Sequence, residues 1–443
     1  MGKLRTKPLV DVTSSEEGGW LRRRLAKHVF IRHVLTLMTG TAVAQVLPMV
    51  TTPVITRLFT DQEYGSWAVV MSVASAIIPI AALRYDLAIL LPADDTRAKQ
   101  LVRLTSWINA ATAIGTTLLM IPLAPTVAAL FKLDPGASVW LYAVGIIVWA
   151  FGQMGIYTYW LTRKQQYPLI SKNKIYQSIS VAGTQVGLGF ARVGVFGLVL
   201  GTLVGQHAAL ANLFFRGGIP ERVPVRREDV ASLLREYKKM PLLNGPNAII
   251  DSVRLQGINL MIGVLASTAV LGQFSAAWAL VQAPAALISS ALAQVFFQKL
   301  SVTRPGDMLP LVRKTLATTM AVAAVPFALI YLLSPPLLPI LLGGGDKWVQ
   351  ASLFASALTP WLYMNFSTSP ISNLFVVAQR QEILLAFAVV YMAVPLAIIW
   401  FNHADMLATV QLVSWAMAGL LAVFCVLALL VARGYDASAA KAR

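Results

Sequence analysis

Residues 407–431 read LATVQLVSWAMAGLLAVFCVLALLV, a predominantly apolar run without one charged side chain. A helix needs roughly 20 consecutive apolar residues to cross the hydrocarbon core of a bilayer. The run meets that length and lacks the polar face that a surface helix of a soluble protein carries. It reads as a membrane span, and the same pattern recurs upstream. Spans are expected at 34–56, 65–83, 103–123, 139–161, 170–191, 196–215, 240–263, 269–297, 314–342, 350–377, 383–401 and 407–431. Asp94-Asp95, Pro135-Gly136, Pro305-Gly306 and Gly343-Gly344-Gly345 punctuate the junctions, as turn residues do. The least apolar of these runs, 170–191, opens with Lys172, Asn173 and Lys174.

The composition agrees. Of 443 residues, 57% are hydrophobic and 12% charged, against roughly 25% charged in soluble proteins. A net charge of +17 would suggest nucleic acid if a basic face lay on a soluble domain. No polar stretch is long enough to build one, so nucleic acid is not expected as a partner, and basic loops beside a membrane account for the charge. The single cysteine, Cys425, sits inside an apolar run, which excludes an internal disulfide and a cysteine metal site. The first thirty residues are polar and basic, unlike a cleavable signal, so the first span is expected to act as the targeting signal. Residues Trp20 to His33 fit either an amphipathic helix on the membrane surface or a basic tail that fixes topology.

Charge also tests the number of spans. If the N-terminus is cytoplasmic, strict alternation puts 30 Lys/Arg in the tails and inner loops. The outer loops then hold only Arg57, Lys132, Arg192 and Lys347. That asymmetry satisfies the positive-inside rule. It places both termini in the cytoplasm. The longest polar loop cuts the chain in two. The expected organisation is a basic tail (1–33), an N-terminal lobe (34–216), a linker (217–239), a C-terminal lobe (240–432) and a short tail (433–443). Tyr64-Gly65-Ser66-Trp67 opens the second span and Leu271-Gly272-Gln273-Phe274 the eighth, the second of its half. A parallel repeat of six-span halves would produce this match, with a substrate path between the lobes.

Charged groups in mid-membrane survive beside a partner or a wet cavity. The seventh span carries Asn244, Pro246, Asn247, Asp251, Arg254, Gln256 and Asn259. Asp251 and Arg254 are spaced i, i+3 and share a face with Asn247, four residues before Asp251. They fit a wet face whose Arg254 attracts an anionic headgroup, or an ion pair locking helices together. Pro246 would kink the helix. Arg84 and Asp86 close the second span at its cytoplasmic end, where Arg84 would meet an incoming phosphate or merely obey the positive-inside rule. Lys174 and Gln177 share a face at the start of the fifth span, and Gln45 lies in the first. Amides such as Gln45, Gln153, Gln185, Gln273 and Gln282 suit sugar hydroxyls or bind helix to helix; for any one of them helix binding is the better expectation. His207 and the Gly197, Gly201, Gly205 stripe read as packing. Trp140, Trp160, Trp348 and Trp361 near span ends read as interfacial aromatics. No Gly-Lys-Ser/Thr phosphate loop, His-Glu-x-x-His or Gly-x-Ser-x-Gly motif occurs, so no enzyme chemistry is expected.

Two stretches carry a family resemblance. The first holds Gly40-Thr41-Ala42-Val43-Ala44-Gln45, Thr56-Arg57-Leu58-Phe59-Thr60, Glu63-Tyr64-Gly65 and Leu83-Arg84-Tyr85-Asp86-Leu87. The second, Gly345 to Arg380, holds Trp348, Pro360-Trp361, Ser369-Pro370 and Val377-Ala378-Gln379-Arg380. Both resemble the bacterial polysaccharide transporter family, the lipid-linked oligosaccharide flippases of the MOP superfamily, which also holds multidrug (MATE) antiporters and the lipid II flippase. The resemblance implies an all-α membrane protein with about twelve spans in two six-helix lobes around a cationic cavity. It implies flipping of an undecaprenyl-pyrophosphate-linked oligosaccharide for O-antigen or exopolysaccharide synthesis. Arg84 matches the family pattern, and Asp86 stands where Glu is common. No cofactor is implied; H⁺ or Na⁺ coupling, with Asp251 as the coupling carboxylate, stays open. A polysaccharide polymerase and a chain-length regulator are the protein partners such a role implies. The rivals are a MATE-like drug/cation antiporter and a membrane-embedded glycosyltransferase or polymerase.

Overall fold

Each long apolar run becomes a helix, because inside a bilayer the backbone must satisfy its own hydrogen bonds. The computed structural model describes residues 42–221, 223–303, 306–343, 346–378 and 380–440. The basic tail with Trp20–His33, the start of the first span and the last three residues lie outside them. In chain order the helices are α1 Ala42–Leu58, α2 Asp61–Ile77, α3 Asp95–Leu130, α4 Val144–Arg163, α5 Tyr167–Phe190 and α6 Val195–Phe215. After the linker helix α7, Arg227–Glu236, come α8 Gly245–Leu265, α9 Thr268–Val302, α10 Met308–Leu341, α11 Val349–Thr368, α12 Gln381–Phe401 and α13 Met406–Ala440. Among the described residues 8 helical segments are long and apolar enough to cross a membrane by length and composition. They contain α2, α3, α4, α6, α8, α10, α12 and α13; α1, α5, α9 and α11 fill the remaining expected positions. The chain is a multi-pass membrane protein. α3 and α13, 36 and 35 residues long, measure about 50 Å at 1.5 Å per residue and project beyond a hydrocarbon core of roughly 30 Å. Asp94 caps the first of them by accepting from Arg97 N. Near the end of the second, Asp436 accepts from the backbone N–H groups of Gly306, Met308 and Leu309 and so caps α10.

The second span ends earlier than its apolar run. Pro79 has no N–H for the carbonyl of Ser75, and α2 stops at Ile77. A 3₁₀ turn follows, then Leu83 and Arg84 with φ of 47° and 61°, then a second 3₁₀ stretch, Tyr85–Leu90. Ser252 on α8 donates to the Ser75 and Ala76 carbonyls at 3.2 and 3.0 Å. The break in α2 thus becomes a contact between the halves.

The core shows how the halves meet. One buried cluster draws on both, with Ile55, Phe59, Tyr64 and Val69 from the first and Leu271, Phe274, Trp348 and Phe354 from the second. It gathers around the end bearing Arg57, Lys132 and Lys347, the sparsely charged end. At the basic end the cores are separate. One, around Leu101, Trp160 and Leu213, belongs to the first half; the other, around Val312, Phe375 and Phe424, belongs to the second. The halves are therefore fused at one end and individually packed at the other.

At the fused end α2 and α9 meet backbone to backbone. A Cβ built on Gly65 would lie 1.7 Å from the Thr268 carbonyl oxygen, and one built on Gly272 would lie 2.0 Å from that of Asp61. Each carbonyl belongs to the residue four before the opposite glycine, so the contact is reciprocal, as a pseudo-twofold axis between the helices requires. Around it, Trp348 Nε1 donates to the Thr56 carbonyl at 2.9 Å and Lys347 Nζ to the Phe59 carbonyl. Gln273 donates to Asp61 and to the Lys347 carbonyl and accepts from Ala351 N. Trp348, expected at a membrane interface, is fully buried here, because its ring packs edge-on against Tyr64. Trp160 and Trp361 are also buried rather than interfacial.

α7 rests on the basic end of the first half. Leu233 is fully buried. Arg97 bonds Glu236 at 3.0 Å and Ser232 at 2.9 Å, and Tyr85 donates to the Leu234 carbonyl.

Candidate functional site

α8 carries the site. It begins with a π-helical turn, Met240–Asn244, of a kind frequent at functional positions. Pro246 lies in its first turn, where a missing N–H costs nothing; it starts the helix rather than kinking it. Ala248, Asp251, Ser252, Leu255, Gln256 and Asn259 follow at helical spacing on one flank.

Arg84 and Asp251 come together there. With Ser75, Pro79, Ser252 and Gln256 they line a cavity of about 190 Å³. The left-handed backbone at Arg84 turns its guanidinium into this space; Nη1 donates to the Pro79 carbonyl at 3.4 Å and Nε is buried without a partner. Arg254 bonds Asp251 at 3.4 Å, with its guanidinium 5.3 Å over the Tyr391 ring of α12. Asp251 is 66% exposed and Arg254 21%, and Asp251 opens onto the cavity. Arg84 and Asp86 form no ion pair, and Asp86 Oδ1 is buried without a partner. Burial pushes the Asp86 carboxyl above the usual carboxylate range, against the pull of Arg84. Asn244 donates to Met240 Sδ at 3.5 Å, and Asn247 is exposed.

Lys174, Gln177 and Gln45 do not line this cavity. They sit on α5 and α1 of the first half, where Ser178 donates to the Ala44 carbonyl at 3.0 Å. Gln45 Oε1 is buried without a partner.

The other amides separate by environment. Gln153 donates to Ser106, and Gln185 to the Leu198 carbonyl, each within the first half; these bind helix to helix, as Gln273 does at the fused end. His207 packs: its Nδ1 lies 2.8 Å from the Leu203 carbonyl and its ring against Trp149. Gly201 and Gly205 let α6 close on Gln185 and Val181 of α5. Gln256, Asn259 and Gln282 are different. They share a second cavity, about 180 Å³, with Trp278, Trp361 and Phe274. The sequence marked these amides as polar but gave no sign that indoles would close over them. A roomier pocket of about 590 Å³ lies under the linker, away from the cleft. Its cations already have partners: Lys99 pairs with Glu221, and Arg103 donates to the Val223 carbonyl.

Two helical halves, fused at one end and parted over a polar, cation-bearing cleft, define a membrane carrier-like architecture. The sequence matches the family described as "Polysaccharide biosynthesis protein" over residues 54–353, about two-thirds of the chain, and the chain belongs to that family. No curated protein matches it in sequence. Solved structures with a similar fold include the lipid II flippase MurJ in an inward closed conformation, with TM-score 0.67 and 11% identity over 89% of this chain and 87% of that one. Another is an inward-facing multidrug resistance MATE transporter of the MOP superfamily, with TM-score 0.63 and 13% identity over 90% and 96%. A third is a MOP superfamily transporter from Pyrococcus furiosus whose binding pocket has reverse polarity, with TM-score 0.56 and 14% identity over 92% and 95%. At these identities the likeness is one of fold, the fold of the MOP superfamily.

Proposed function

We propose that the protein is a flippase carrying an undecaprenyl-pyrophosphate-linked oligosaccharide from the cytoplasmic to the periplasmic leaflet of the bacterial inner membrane, for O-antigen or exopolysaccharide synthesis. The observation that carries this reading is the cavity where Arg84 meets the Asp251–Arg254 pair, in a cleft parted at the basic end. A guanidinium matches phosphate oxygens in charge and geometry. The basic end is cytoplasmic in this reading, as are both termini, and the lobes are 34–216 and 240–432, joined by the linker 217–239. The headgroup enters between the lobes while the polyprenyl tail stays in lipid. Arg84 and Arg254 neutralise part of the pyrophosphate charge, with Asn244 and Asn247 near the mouth. Lys174, Gln177 and Gln45 line the approach along the first lobe. Asp251 exchanges Arg254 for a proton or Na⁺ as the lobes rock. The protein catalyses no covalent step and hands its cargo to a polymerase with its chain-length regulator.

The test is complementation of a flippase-null strain with defined lipid-linked glycans. Arg254→Ala, at matched protein level, is expected to cut polymer export at least tenfold, with partial rescue by Arg254→Lys. Full export by the alanine variant would remove Arg254 from the mechanism. Resistance to cationic drugs conferred by the wild type would favour an antiporter instead.

A further inference from the structure

The second cavity has a chemistry of its own. Gln256, Asn259 and Gln282 are partly buried, and among the described residues none of the three side chains has a hydrogen-bond partner. Other amides in this molecule, Gln153, Gln185 and Gln273, are bonded to the protein. A partly buried amide without a partner is costly in a membrane interior. Three converging on one space are groups held ready for a polar occupant. The rest of the lining is largely aromatic. Trp278 and Trp361 lie with ring centroids 5.2 Å apart, and Trp278 stacks on Phe274 at 6.1 Å. Amide donors and acceptors that share a cavity with indole rings suit one chemical class best: a pyranose, with hydroxyls around its edge and C–H groups on its face.

The cavity is joined to the cation site. Gln256 lines both. Trp361 Nε1 donates to Tyr391 Oη at 2.6 Å, and Tyr391 carries the Arg254 guanidinium on its ring. Asn259 lies five residues beyond Arg254 on α8, about 8 Å further along the axis and closer to the fused end.

Resting on the flippase reading, we infer that this amide–indole cavity is the sugar-recognising subsite of the cleft. It takes the pyranose next to the pyrophosphate. One ring stacks on Trp278, its hydroxyls meet Gln256, Asn259 and Gln282, and Arg84 and Arg254 hold the phosphates behind it. The glycan therefore enters first and the pyrophosphate follows. The cavity, rather than the cation pair, sets which lipid-linked glycan is accepted.

Native mass spectrometry of the purified full chain tests this with four probes: undecaprenyl pyrophosphate and its glucosyl, galactosyl and N-acetylglucosaminyl forms. The wild type is expected to hold at least one glycosylated probe on the order of tenfold tighter than the bare lipid, as a few hydrogen bonds and a stacking contact provide. Asn259→Ala/Gln282→Ala and Trp278→Ala should abolish the preference while binding bare undecaprenyl pyrophosphate as the wild type does, which also shows that they are folded. Trp278→Phe should retain most of it. Equal binding of all four probes by the wild type, or an undiminished preference in the variants, overturns the subsite. Absence of binding to the bare lipid by the wild type overturns the flippase reading itself, and the subsite with it.

Discussion

At the scale of single residues, the polar side chains of the spans divide into those bonded to the protein and those turned to a cavity. Asn212 belongs to the first group. Its Nδ2 donates to Asn173 Oδ1 at 2.7 Å, and its Oδ1 accepts from Arg216 at 2.9 Å. Asn173 is buried, so Asn212→Leu strands its carbonyl oxygen at a cost of about 1 kcal/mol. A thermal melt in detergent should show a small drop in Tm, with export near wild type at matched level. Arg254 and Asn259 are expected to behave in the opposite way, with little loss of stability and a large loss of function or selectivity. Sequence spacing could not make this division. Gln185 and Gln256 are both amides within apolar runs; only the packing shows that Gly201 brings α6 against Gln185 while, among the described residues, no group hydrogen-bonds the Gln256 side chain. Arg84 and Asp251 are 167 residues apart, and their meeting depends on how the break at Pro79 seats α2 on α8.

At the scale of elements, the linker helix shows which force holds it. Its ion pair, Arg97 with Glu236, is partly exposed, 30% and 48%, and such pairs contribute 0–1 kcal/mol. The fully buried Leu233 contributes more, about 2–5 kcal/mol lost on truncation to alanine. Leu233→Ala should therefore expose Arg227–Glu236 to trypsin, whereas Glu236→Gln should change the digestion rate little; the reverse order would show that charge holds the helix. The Glu236 carboxyl is kept below its usual range, first by the Tyr237 hydroxyl and then by Arg97. That contribution is complete above about pH 4, the ordinary value of the free group, and fades as pH falls through the lowered one. The docked linker is thus indifferent to pH near neutrality. The sequence revealed the linker as a polar loop with basic residues, and its helix is amphipathic enough to read. Its seat on the first half was not legible, because most of the cluster that buries Leu233, such as Tyr85, Leu101 and Trp160, lies far away in sequence.

At the scale of the whole molecule, the all-helical membrane fold was legible because bilayer length acts on sequence directly. The match between Gly65 and Gly272, a short likeness in the sequence, becomes a contact across the halves in the structure. Nothing smaller than the assembled fold reveals that each glycine faces the carbonyl four residues before the other. Gly65→Ala forces α2 and α9 apart. Overpacking of this kind costs about 1–3 kcal/mol, enough to shift the balance of conformations on the order of ten- to a hundredfold toward one opened at the fused end. Spin labels on Gly136→Cys and Asn402→Cys, one in each half at that end, should report a longer distance in the variant; an unchanged distance would mean that the contact does not govern the equilibrium.

The same contact bears on insulation. If the proposed flippase takes a charged headgroup, its cleft would admit water up to the place where it closes. If bulky side chains made that closure, every rotamer change would offer a file of water and a route for protons down their gradient. Here the closure is main chain against main chain, at positions that have no side chain to move. On the flippase reading, such a closure would let the protein stand open to one face of the membrane without short-circuiting it.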